Sequence, residues 1–176
     1  MTRHVAFLRA VNLGAKRRVA MADLREELEG LGYEEVSTYI ASGNAIFDAT
    51  GKAAALEKSI EPVLAKRFGF EIPTFVRTAA QVRTTVALEP FGAIADDDHW
   101  YVTFLRSKPS AAEAKAVAAL SNDVDTLEIH GAELHQLIHG TLLQSTVKAA
   151  ALKNALGGVE GTNRNSTMLR KLTDKL

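Results

Sequence analysis

Seven residues have side chains or backbone freedom suited to holding an anion: Arg9, Asn12, Gly14, Lys16, Asn44, Arg164 and Asn165. In the stretch "NLGAKRR", Asn12 and Gly14 can turn the backbone until successive amides point at one spot, and Lys16 with Arg9 would supply charge. Arg17 and Arg18 are assigned to solvent, because three successive side chains cannot all face one pocket. In "TNRNST", residues 162–167, Asn165 or Ser166 suits the N-cap of a last helix. The free amides and positive dipole end there favour anions, and Arg164 stands beside them. Each feature also has a plainer reading, as a solvated turn in the first case and ordinary helix capping in the second. No Gly-x-x-x-x-Gly-Lys-Ser/Thr occurs.

Other chemistries find less support. The chain has no cysteine, which removes disulfides, thiol nucleophiles and thiolate metal sites. His135 and His139 are four apart, as zinc-binding helices use, but "ELHQLIHG" alternates like a strand. Same-face strand residues four apart lie ~13 Å from each other, too far to share an ion. "DDDH", residues 96–99, lacks the spaced oxygens and glycine of a calcium loop. There is no Gly-x-Ser-x-Gly elbow and no dinucleotide fingerprint. No metal and no cofactor are expected. The 21 basic and 21 acidic side chains balance, which argues against nucleic acid as a partner. Phe7 and Phe47 do not make the basic-Gly-aromatic pattern of an RNA-recognition module. The N-terminus is too short in apolar residues for a signal peptide, and no run approaches a membrane span, so a cytoplasmic protein is expected.

The elements that must position these residues follow from periodicity. Residues 3–10 read as a strand, and Met21, Leu24, Leu28 and Leu31 as a helix closed by Gly32. "EVSTYIASGNAIFDA" reads as a hairpin turning at Gly43-Asn44, with Asn44 at its tip. A helix around Leu56–Phe68 should be kinked or shortened by Pro62, and "EIPTFVRT" should be an edge strand starting at Pro73. This β-α-β-β-α-β order is the split pattern of a ferredoxin-like domain. Thr78 and Gln81 have capping-box spacing ahead of a short helix.

The second half repeats β-α-β-β-α, with a terminal helix expected in place of a closing strand. Phe7-Leu8-Arg9 is echoed by Phe104-Leu105-Arg106. The organisation expected is residues 1–88 as an N-terminal ferredoxin-like half, 89–99 as a linker holding Pro90, Gly92 and the acidic run, and 100–176 as a C-terminal α+β half. The fold class is α+β, with two ferredoxin-like halves.

"FLRAVNLGAK" at Phe7–Lys16, Met21 to Leu31, "YIASGNAIF" at Tyr39–Phe47 and "GTNRNSTMLRKL" at Gly161–Leu172 together resemble the bacterial family called domain of unknown function 1697. Ala10 and Ala15 stand where that family usually has glycine, and Ser166 where it usually has tryptophan. The resemblance implies two ferredoxin-like α+β halves, with Arg9, Asn44 and Arg164 converging on a polar cleft. It implies no activity. The sequence therefore leads to a binding protein for a small phosphate- or carboxylate-bearing ligand. An enzyme acting on such a ligand and a homodimeric interaction module without ligand stay open as alternatives.

Overall fold

The computed structural model describes all 176 residues. By internal contacts, Met1–Thr84 and Leu172–Leu176 form one unit and Thr85–Lys171 the other. The first unit runs β1 (Thr2–Leu8), α1 (Met21–Gly30), β2 (Glu34–Thr38), β3 (Asn44–Ala49), α2 (Ala53–Phe68), β4 (Thr74–Thr78) and the start of α3 (Ala79–Ala87). Its sheet is antiparallel in the order β2-β3-β1-β4, so the first strand lies in the interior. The helix-facing core gathers Ala6, Leu8, Leu24, Leu28, Phe47 and Leu64, among others. On the opposite face Val5, Phe7, Ile46 and Phe75 are at most 2% exposed. A sheet buried on both faces reads as a continuous apolar run, which is why "VAFL" does not alternate.

Two expectations about this unit need correction. The helix α2 spans sixteen residues with Pro62 inside it and ends at Gly69 in a left-handed C-cap, so the proline does not shorten it. The hairpin loop is Tyr39–Gly43 rather than a two-residue turn; Asn44 is already in β3, opposite Phe7, and fully buried. The positive φ values fall at Ile40 (52°) and Gly43 (80°). Pro73 does precede an edge strand, and Thr78 and Gln81 make both capping-box hydrogen bonds (2.9 and 3.1 Å).

The second unit holds β5 (His99–Leu105), α4 (Ala111–Ala118), β6 (Asp125–His130), β7 (Glu133–Ile138), a 3-10 turn at Leu142–Gln144, α5 (Ala149–Ala155) and β8 (Gly161–Asn165). The final helix, α6 (Ser166–Thr173), follows β8 directly. A closing strand is therefore present where only a helix was expected. The sheet order β6-β7-β5-β8 reproduces that of the first unit, element for element. Leu105, Val117, Leu127, Leu134 and Leu156 form its helix-side core.

The repeat extends to single residues. Leu8 N–H donates to Gly43 O and Arg9 N–H to Pro73 O; Leu105 N–H donates to Ala132 O and Arg106 N–H to Glu160 O, all at 2.8–2.9 Å. The Phe-Leu-Arg echo thus occupies one structural position twice. No helix is long and apolar enough to cross a membrane.

Candidate functional site

Between β1 and α1 the chain leaves the sheet through an unusual loop. Ala10, Asn12, Gly14 and Arg17 all have positive φ (53°, 56°, 72° and 59°), and three of the four are not glycine. Left-handed backbone costs a residue with a Cβ ~1–2 kcal/mol, so something must hold it there. Asn12 does much of the holding. Its N–H donates to Arg17 O (3.0 Å), its side-chain nitrogen to Val19 O (2.9 Å) and Ala41 O (2.7 Å), and its Oδ1 accepts from Val19 N–H (2.9 Å). The amide expected to face a ligand is committed to tying this loop to the hairpin.

Arg17 is exposed, as expected, but its side chain is anchored. Its Nε donates to Ala10 O (2.9 Å), its Nη2 to Glu71 O (2.7 Å), and its guanidinium lies 4.7 Å from the centre of the Phe70 ring. A planar fork with several fixed donors suits this double anchorage, which a lysine could not copy. Arg9, Ala10, Arg17, Glu71 and Pro73 line a cleft of about 280 Å³. Lys16 and Gly14 are exposed on the loop and do not line it. A second cleft in this unit, about 350 Å³, is lined by residues such as Leu31, Tyr33, Leu56 and Ser59 and has no charged side chain.

The remaining candidates also have local duties. Asn44 donates from its side chain to Tyr39 O (2.9 Å) and Ser42 Oγ (3.0 Å), so it shapes the hairpin from within. Gly43 needs its missing side chain: a Cβ there would stand 2.6 Å from Val11 Cγ2 and 2.9 Å from Leu8 Cβ. Asn165 Oδ1 accepts from Thr167 N–H (2.8 Å), as expected of a cap for α6. Arg164 lies on β8, 8% exposed, donating to Thr162 Oγ1 (2.9 Å) and Asn163 O (2.8 Å). Burial lowers its pKa to about 10, which leaves it charged at neutral pH.

Sequence reasoning missed the counterpart of Arg164. Arg77 on β4 stands opposite Val5, as Arg164 stands opposite Val102, and it is 7% exposed with Nη1 donating to Val76 O (2.9 Å). Aligning "TFVRT" with "GTNRN" would have found it, had the latter been seen as a strand.

The histidines are engaged separately. Trp100 Nε1–H donates to His135 Nδ1 (3.2 Å), while His139 Nδ1 is 2.7 Å from Asp98 Oδ2. Burial, reinforced by nearby His130, lowers the His135 pKa to about 4. No three His, Asp or Glu side chains gather closely enough to hold a metal ion.

The model of the family described as protein of unknown function (DUF1697) matches residues 1–135. The chain belongs to this family. The match covers the basic loop and the "SGN" hairpin and stops before "GTNRNSTMLRKL". No curated protein matches the sequence. Among solved structures, the conserved bacterial protein SP0830 from Streptococcus pneumoniae is similar, with a TM-score of 0.71 at 20% identity, over 98% of this chain and 97% of that one. At that identity the similarity concerns the fold.

Proposed function

We propose that this protein binds a small anion, carried by a carboxylate- or phosphate-bearing metabolite, in the cleft lined by Arg9 and Arg17. The observation that carries the reading is that two arginines line one small cleft, the guanidinium of Arg17 being fixed on two backbone carbonyls. Fixed donors bind oxyanions without first losing side-chain freedom. Backbone held in left-handed conformations around Ala10 and Asn12 adds support, since such strain concentrates at ligand sites. A cleft of about 280 Å³ suits a ligand of few atoms.

This reading moves the charge from Lys16 to Arg17. Calorimetric titration with inorganic phosphate and with propionate is the test. Arg9→Ala and Arg17→Ala should each weaken binding of the better ligand at least tenfold, the scale of a charge-assisted hydrogen bond at ~1.5–3 kcal/mol. Lys16→Ala should change it less than about threefold. Arg17→Lys, which keeps the charge and loses the fork, guards against a loop that simply unfolds, and it should also weaken binding. Equal losses at Lys16 and Arg17, or no binding of either anion by the unmutated protein, would overturn the reading.

A further inference from the structure

The lining of the Arg9–Arg17 cleft also contains an acid. Glu71 gives its backbone carbonyl to Arg17 Nη2 at 2.7 Å, and its carboxylate makes no ion pair or hydrogen bond within the protein. Its exposed side chain brings an acidic group to the cleft that Arg9 and Arg17 also line. A phosphate dianion seated on the guanidiniums would meet that charge, and like charges at close range oppose binding. A carboxylate carrying a neighbouring ammonium group satisfies both signs at once. The other walls, Ala10 and Pro73, are small and apolar, and leave room for a short aliphatic side chain.

Resting on the anion-binding reading above, we infer that the ligand is a small zwitterion of the α-amino acid class. Its carboxylate lies on Arg9 and Arg17, and its ammonium faces Glu71. Glu71 is then the residue that selects against simple anions. The test titrates L-alanine, propionate and inorganic phosphate against the unmutated protein and against Glu71→Gln. Because the Glu71 carboxylate has no partner in the fold, this variant should melt where the parent does.

L-Alanine should bind the parent roughly tenfold more tightly than propionate, and that preference should shrink to about twofold in Glu71→Gln. Phosphate should bind the variant more tightly than the parent. If L-alanine and propionate bind equally and Glu71→Gln changes nothing, the zwitterion inference is overturned while anion binding stands. If none of the three binds, both are overturned.

Discussion

Ala10 has a Cβ in left-handed backbone, φ 53°, where family members usually carry glycine, and Ala15 stands at another usual glycine without a positive φ. The two alanines should therefore respond oppositely to the same substitution. Ala10→Gly removes ~1–2 kcal/mol of strain and gives back ~0.4–1 kcal/mol through a looser unfolded chain, for a net gain of up to about 1.6 kcal/mol. Ala15→Gly has no strain to relieve and should be neutral or slightly destabilising. Denaturant titration of both variants decides it; a loss at position 10 equal to that at 15 would mean that the loop imposes no strain. The usual glycine at position 10 then reads as a conformational requirement. The same holds for Gly43 and Asn44 in the "SGN" motif, whose roles here are close packing and hairpin hydrogen bonds.

At the scale of elements, β7 and the segment after it are wired by polar groups that respond to pH. Asp125, fully buried at the start of β6, accepts from Gln136 Nε2, Ser145 Oγ, Thr146 N–H and Thr146 Oγ1. Burial alone would raise its pKa; those hydrogen bonds outweigh it and hold the carboxyl below its ordinary value. Its contribution is present above the unfolded pKa and lost below about pH 4. His135 acts at higher pH. Folded, it stays neutral down to about 4, whereas unfolded it takes a proton near 6.5. Stability should therefore fall as pH drops from 6.5 towards 4, at up to about 1.4 kcal/mol per pH unit for this one proton. His135→Gln keeps an acceptor for Trp100 Nε1 and cannot titrate, so the slope over that interval should drop by about one proton. An unchanged slope would remove His135 as the cause. His4, also lowered by burial, keeps the remaining slope from vanishing.

The elements differ in how plainly the sequence announces them. The cap at Thr78 was legible because its signal is local. The closing strand β8 was not, since its inward side chains are Thr162 and Arg164, and no apolar period marks it. The turn of the first hairpin was misplaced because Ile40, a β-branched residue, takes a positive φ that no local rule anticipates. The anchorage of the exposed Arg17 was not legible, because its partners, Ala10 O and Glu71 O, are backbone atoms that a sequence cannot display.

At the scale of the molecule, one four-stranded plan is used twice, with Arg77 and Arg164 at matching registers. The chain between the two sheets carries neither helix nor strand over residues 88–98, and Glu89, Asp96 and Asp97 are exposed. Asp98 is different, held by His139 Nδ1 and by Gly140 N–H at 3.3 Å. Limited digestion with an Asp/Glu-specific protease should cut first after Glu89, Asp96 or Asp97 and spare Asp98. Trypsin would miss the segment, which contains no lysine or arginine. First stable cuts confined to residues 10–80 would refute an accessible linker there.

The first unit is finished by residues 172–176, where Lys175 lies over the Tyr39 ring and the Leu176 carbonyl accepts from Arg83. On a ribosome, β4 is complete by residue 78, yet this last piece is added only after nearly the whole second unit has been made. At ~5–20 residues per second that is a delay of roughly 5–20 s. The first sheet must spend the interval as an incomplete unit. Synthesis of residues 172–176, rather than emergence of the first half, then marks the moment at which the first unit is whole.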